Sequence, residues 1–359
     1  MKSWSGAVRS LGIQLGAVGL GVAVSALVLT TIGQSFGGSI RTLFEGAFGS
    51  EFALTQTALK AVPLALCGLA VALPLRMRLW NIGAEGQFHL GAIAATWVAL
   101  SASGLSAPAL LPLTIGAAMA AGALWTLLAA APRALWGVNE IITTLLLNYI
   151  AIQLLAYLVT GPLQGKESLH FPISDFLPTA AVLPRLGSSQ IHIGVFFPVA
   201  LAVLLVLVLR TTKWGFEVRM IGASPDAARV AGISTKRNIV IVLCAGGAFA
   251  GLAGMVEVAN TFGQLQQGIS PGYGYMAIAI AALAGTSPLG TVIAGFLFGG
   301  FVVGGLALQT QAVPQAFVLM LEGIVLFCAV AGSRLGLAYQ GRQRLRAARL
   351  REEGAPSTP

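Results

Sequence analysis

Apolar runs of about 20 residues, each with at most one Asp, Glu, Lys or Arg, recur along almost the whole chain, and no other feature limits its fold as strongly. A run of that length crosses the ~30 Å hydrocarbon layer as a helix, which bonds its own backbone N–H and C=O groups there. Ten candidate spans lie near 11–33, 53–75, 87–103, 108–131, 139–160, 192–210, 238–257, 273–286, 289–308 and 314–332. The third and eighth are short, so the count is eight to ten. Only 9% of the 359 residues are charged, against about a quarter in soluble domains. The chain is therefore read as all-α, a polytopic transmembrane helix bundle. Leu11 to Ile32 is too long for the apolar core of a cleaved signal and reads as a retained first span.

The net charge of +9 raises the question of a nucleic-acid partner, and its distribution answers it. With the N-terminus inside, 17 of the 21 Lys and Arg residues face the cytoplasm, and only Arg41, Lys60, Lys166 and Arg185 fall on or near the outside. The opposite orientation inverts that ratio, so both termini are placed in the cytoplasm. The basic balance sets topology and calls for no nucleic acid. Cys67, Cys244 and Cys328 sit within apolar runs without paired spacing and read as small buried side chains.

This divides the chain into a transmembrane domain, 1–340, and a basic cytoplasmic tail, 341–359, which begins as an amphipathic turn or two and ends in Pro and Ser. Two soluble connections interrupt the domain. The outer one, 161–191, carries four prolines and is long enough to be functional or disordered. The inner one, 211–237, contains FEVRMIGASPDAARVAGISTKR and reads as a single short, well-capped helix over Pro225 to Ala231. Ser224 suits the N-cap and Pro225 the first helical position, where its missing N–H costs nothing. Asp226 opposes the positive end of the helix dipole, and Gly232 can take the left-handed conformation that ends a helix. So short a helix does not persist in water without something packed on it.

Asp226-Ala227-Ala228, three residues and then Gly232 resembles the EAA loop of ABC importer permeases, with Asp in place of Glu; the apolar-Pro signature that follows in that family is not evident here. NIGAEGQFHLG (81–91), NEIITTLLLNYIA (139–151) and GYGYMAIAIAALAGTSPLGTVIAGFLFG (272–299) are similar to permeases for branched-chain amino acids, simple sugars and nucleosides, the first of them to the nucleoside and simple-sugar branch. The resemblance implies a coupling helix docked in a groove of a cytoplasmic ABC ATPase. It assigns that role to Glu217, Arg219, Ser224, Pro225, Asp226, Ala227, Ala228, Arg229 and Gly232. It further implies a second permease subunit, identical or different, an extracytoplasmic substrate-binding protein, and residence in the bacterial inner membrane. No cofactor is expected on this chain, with ATP and Mg held by the partner ATPase.

Polar residues inside apolar runs are costly unless buried in protein or facing water. Asn81, Glu85 and Gln87 surround glycines at 83 and 86 that break the helix, and they are assigned to the substrate pathway or, for Glu85, to anchoring freed backbone N–H groups. Glu140, Thr144 and Asn148, spaced four apart, form one polar stripe, which lines the pathway or glues helices together. Glu257, Asn260, Gln264, Gln266 and Gln267 gather toward the outer end of the seventh span, as rim of the mouth or as solvated loop. Glu322 reads as a helix-packing or interface group. Tyr149, Tyr273 and Tyr275 could stack on a nucleobase, or sit at an interface as membrane aromatics commonly do.

No phosphate-binding loop of the G-x-x-x-x-G-K-[ST] type and no H-E-x-x-H occurs, and the three histidines are scattered. The chain is expected to be no enzyme. The sequence reading is the permease subunit of an ATP-driven importer passing a nucleoside or simple sugar; the alternative is an ion-coupled secondary transporter that uses an intramembrane carboxylate.

Overall fold

A computed structural model describes residues 4–353 apart from 167, 169 and 188; the Pro- and Ser-containing end of the tail, 354–359, lies outside the described residues. The chain folds as α1 (Trp4–Thr30), α2 (Phe36–Phe48), α3 (Glu51–Leu75), α4 (Ala84–Ser101), α5 (Ala107–Trp136), α6 (Glu140–Val159), α7 (Phe196–Thr211), α8 (Lys213–Ala223), α9 (Pro225–Val230), α10 (Thr235–Glu257), α11 (Tyr273–Leu283), α12 (Pro288–Gln309) and α13 (Gln315–Glu353). Among the described residues there is no strand, only two isolated bridges, Ile173 to Gln266 and Arg185 to His192.

Seven helices are long and apolar enough to cross a membrane: Glu51–Leu75, Ala107–Trp136, Glu140–Val159, Ile193–Thr211, Thr235–Phe262, Pro288–Gln309 and Gln315–Gly332. Each coincides with an expected span. The other three expected spans differ in kind. The first falls on α1, whose apolar part is Gly16–Thr30. The third falls on α4, whose first turns hold Glu85, Gln87 and His89 and lower its apolarity. The eighth falls on α11, at 11 residues only about 16 Å long, half the hydrocarbon thickness. Two helices were not legible at all: α2, and α8 in the inner connection, where one lone helix was expected and two occur in succession. Likewise α13 continues without a break past residue 341.

The chain forms two compact units, one of Met1–Gly46 with Gly304–Pro359, the other of Ala47–Val303. In the first, α1 and α13 pack through small residues. A Cβ on Gly21 would meet the Val325 backbone, and Ser25 donates to the Leu321 carbonyl at 3.4 Å. Glu322 is buried in this unit.

In the second unit α3, α4, α10 and α11 are the most enclosed helices. Leu64, Leu66, Leu69, Leu73, Phe88, Leu243 and Met255 are fully buried. Backbones meet where side chains are absent: Gly91 lies against Gly251, and Gly122 of α5 against Gly247. Such close approach is how membrane helices gain packing without a hydrophobic driving force between them. By contrast α6 and α7 leave Ile142, Leu146, Leu204 and Leu207 exposed on the surface of the unit.

The described residues of the 161–191 connection make long-range hydrogen bonds. They lie on the residues that follow α10: the Ser174 N–H bonds the Leu265 carbonyl and the Leu177 N–H the Gly263 carbonyl, both at 2.8 Å. Asn260 exchanges hydrogen bonds with both backbone groups of Leu183. Gly263 ends the π-helical turn Val258–Phe262 with φ +72°, turning the chain toward that loop.

Candidate functional site

Glu85 stands where the N-termini of α4 and α11 meet. Gly274 has no side chain because none fits: a Cβ there would strike the Glu85 backbone. The Gly274 N–H, one of the orphan donors of the first turn of α11, donates to Glu85 Oε2 at 2.7 Å. The Glu85 carboxylate thus lies at the positive ends of two helix dipoles, a position that stabilises a negative group without a counter-cation. It is 2% exposed. His89, one turn on, places Nδ1 2.7 Å from the Glu85 carbonyl.

The irregular chain before α4 is bonded by side chains. Asn81 Nδ2 donates to the Ala70 carbonyl at 3.2 Å and to Gln87 Oε1 at 2.9 Å, while Gln87 Nε2 donates back to Asn81 Oδ1 at 2.8 Å. Asn81 Oδ1 also accepts from the Gly83 N–H. From α6, Asn148 Oδ1 accepts from the Gly86 N–H and its Nδ2 donates to the Ile82 carbonyl, each at 2.8 Å. Since Ala70 is five residues short of the end of α3, this segment enters about 8 Å past that helix end. It is irregular backbone enclosed in protein, one of the two settings in which non-helical chain is tolerated at membrane depth.

Glu140, Thr144 and Asn148 form the inward stripe that their spacing requires, and all three are buried. Glu140 binds outward along the helix end, with Arg133 Nε at 3.1 Å and the Trp80 N–H at 3.3 Å, while Thr144 returns its hydroxyl to the Glu140 carbonyl at 2.6 Å. Asn81, Glu85, Gln87 and Asn148 therefore belong to one bonded node, with Glu140 at its margin.

A second buried charge was not recognised as a pair in the sequence. Lys60 Nζ lies 2.8 Å from Glu257 Oε1, and Tyr273 OH donates to the same oxygen at 3.3 Å. The ammonium also sits over the Phe262 and Tyr273 rings at 5.7 and 5.8 Å. Glu257 is thus an interior group, where its position near the end of a span had suggested a solvated rim.

At the end of the unit that carries Arg76, α8 and α9 follow one another across the single cap residue Ser224. Ser224 caps α9 by accepting from the Ala227 N–H, Pro225 opens it, and Gly232 closes it at φ +75°. Asp226 and Arg229 pair across one turn at 3.4 Å, both well exposed. Ala228 is the residue of α9 that is buried. Val230 is 91% exposed, an isolated aliphatic side chain on the outside of a polar turn that the sequence reading passed over. Glu217 faces the opposite way and accepts from Asn238 Nδ2 at 2.7 Å and Arg237 Nη2 at 2.9 Å; those bonds hold its carboxyl below the usual carboxylate range.

The family model for the permease component of branched-chain amino acid transport systems matches residues 53–330. The glucose ABC transporter permease protein TsgB13 of Haloferax volcanii is 40% identical over 90% of this chain and 87% of its own length. The guanosine ABC transporter permease protein NupP of Bacillus subtilis is 33% identical over 78% of this chain and 81% of its own. The nucleoside ABC transporter permease protein NupB of Lactococcus lactis is 29% identical over 89% and 90%. No solved structure matches the chain significantly.

Proposed function

Because the chain belongs to the family of branched-chain amino acid transport system permease components, an integral membrane family of permeases that are not themselves enzymes, we propose that it forms the translocating subunit of an ATP-driven importer for a nucleoside or a simple sugar. Relatives named for glucose, guanosine and nucleosides support that cargo class. In this reading α1, α4 and α11 join the seven long helices to give ten membrane-entering elements over 1–340, with both termini and the 341–359 tail cytoplasmic. The end bearing Arg76, α8 and α9 then faces the cytoplasm, and the 161–191 connection faces the binding protein outside.

The capped α9 is the observation that carries the reading. Glu217, Arg219, Ser224, Pro225, Asp226, Ala227, Ala228, Arg229 and Gly232 shape an ATPase-coupling element. Val230, left bare, is the apolar knob that a groove on the ATPase would cover. ATP and Mg bind the ATPase and not this chain. The node of Asn81, Glu85, Gln87, Glu140, Thr144 and Asn148 borders the substrate pathway and holds the backbones that line it. A second permease subunit, identical or different, supplies the facing wall.

The test is ATP-driven uptake by the transporter reconstituted with its partner subunits. Val230→Asp, and Gly232→Val where φ is positive, should leave insertion intact and cut uptake at least tenfold while releasing the ATPase from the complex. Uptake unchanged in both variants defeats the coupling assignment. Uptake by this chain alone on a proton or sodium gradient defeats the importer reading in favour of the ion-coupled one.

A further inference from the structure

Asn81, Glu85, Gln87, Thr144 and Asn148 turn inward, where Asn81 and Gln87 bond each other and the rest bond the backbone around them, while a different polar set on α6 turns outward. Tyr149, Gln153 and Tyr157 follow at four-residue spacing and share one stripe, with Gln153 about 180° around the helix from Thr144. Tyr149 and Tyr157 are 61% and 64% exposed. With Ile150 and Leu154 the three line a shallow hollow on the surface of the unit.

Depth makes the stripe informative. Gln153 lies 13 residues into the 20-residue α6, about 20 Å from its start and 9 Å from its end. Tyr157 is close enough to the helix end to serve as an interfacial aromatic, but Tyr149 and Gln153 are not. Neither the Gln153 amide nor the Tyr149 and Tyr157 hydroxyls bonds another side chain among the described residues. Facing lipid, that amide would be unsatisfied, and an aliphatic residue such as the nearby Ile142 or Leu146 would serve better. The stripe also adjoins the buried node, since Asn148 Nδ2 reaches Tyr275 OH at 3.5 Å beside it.

The geometry points to Tyr149, Gln153 and Tyr157 as a substrate-reading stripe on the wall of the permeation path, specific for a flat heterocycle with a donor–acceptor edge, that is, a nucleobase. A glutamine amide presents one acceptor and a donor pair side by side, the pattern that reads a purine edge. The tyrosines, one turn below and one turn above, offer stacking faces about 6 Å along the axis from it. A ring moving along the wall exchanges one tyrosine for the other while its edge passes the amide. This inference rests on the importer reading and selects the nucleoside among its cargoes.

The experiment uses the transporter purified with its partner subunits and reconstituted in vesicles, with initial uptake of labelled adenosine and labelled ribose measured side by side. Gln153→Leu and Tyr149→Leu should each lower adenosine uptake about tenfold, with ribose uptake changed less than twofold, and Tyr149→Phe should retain most of the adenosine rate. All variants should co-purify with the second permease. Wild-type rates and selectivity in Gln153→Leu would mark a lipid-facing residue and overturn the proposal. So would an equal loss for adenosine and ribose, or loss of co-purification, which marks a subunit contact. A wild-type complex with no ATP-driven uptake of either compound removes the importer reading itself, and the stripe proposal falls with it.

Discussion

Replacing Lys60 by Met is the most exacting test of how the interior of the second unit is held. Glu257 is 1% exposed at its side chain, and its Oε1 has two partners, the Lys60 ammonium at 2.8 Å and the Tyr273 hydroxyl at 3.3 Å. Met fills the volume of the lysine stem but leaves an enclosed carboxylate with one neutral hydrogen bond. Breaking a buried pair from one side costs about 3–5 kcal/mol. Lys60 keeps 17% of its side chain exposed, so some water reaches the pair and the lower end applies, about 3 kcal/mol. Glu257→Gln is milder, about 1 kcal/mol, because the amide oxygen still accepts from both partners and the charge left over, the lysine, is the wetter one. The double variant Lys60→Met with Glu257→Gln should cost less than Lys60→Met alone, since no carboxylate is then stranded. Thermal unfolding of the purified protein in nanodiscs reads all three, with Lys60→Met lowered by about 6 °C if each kcal/mol is worth about 2 °C at this size. A Lys60→Met variant within 1 °C of wild type, or a double variant worse than it, refutes the reasoning.

The Glu217 carboxyl is held below its usual range by Asn238 and Arg237. A depressed carboxylate stabilises the fold above its unfolded value of 4.5, and that contribution is lost as pH falls through the lower folded value. Hydrogen-exchange protection factors over 213–238, corrected for the intrinsic pH dependence of exchange, should therefore stay high at neutral pH and fall below about 4.5, and Glu217→Gln should abolish the step. Gly274→Ala should lower thermal stability by about 1–3 kcal/mol, because its Cβ meets the Glu85 backbone, whereas Gly116→Ala, inside α5 with open space around it, should raise it by up to about 1 kcal/mol.

What could be read in the sequence is what local chemistry determines. Ser224, Pro225, Asp226 and Gly232 specify a helix from within four turns of chain, and α9 ends one residue from its expected limit, with Ala231 as its cap. Long apolar runs gave seven helices within a few residues. The four-residue spacing of Glu140, Thr144 and Asn148 required a common face, and they share one. Failures came where partners are distant in sequence. Lys60 and Glu257 are 197 residues apart, so each alone looked like a group near an outer rim. Glu85 meets Gly274 across 189 residues, and without that contact α11 read as a short span when it is a half-length helix ending on a carboxylate. Helix α8 was missed for another reason: Gly215 and Gly222 weaken its propensity, and only packing explains them, since a Cβ on Gly222 would strike the Arg76 carbonyl.

That same contact gives the proposed lever something rigid to push. Ala228 and Ile233 tie α9 back into the chain through the Ile233 N–H and Ala228 carbonyl at 3.0 Å, and α9 follows α8 after the single cap residue Ser224. From α8 two routes lead inward. Glu217 grips Asn238 and Arg237 at the start of α10, while Gly222 abuts Arg76, whose guanidinium donates to the Thr286 carbonyl just past α11. Both routes converge, for α10 carries Glu257 at its far end and α11 begins at the bonded pair of Gly274 and Glu85. In the proposed coupling a displacement of α9 would load α10 and α11 together, whose other ends meet at Tyr273, which bonds Glu257 and lies one residue from the Glu85 contact. Packed helices respond to such loading by shifting between discrete arrangements rather than by bending. Tyr273→Phe removes the hydroxyl that bonds Glu257 at this meeting point and should lower thermal stability by about 1 kcal/mol, and an unfolding midpoint equal to wild type would count against the bond.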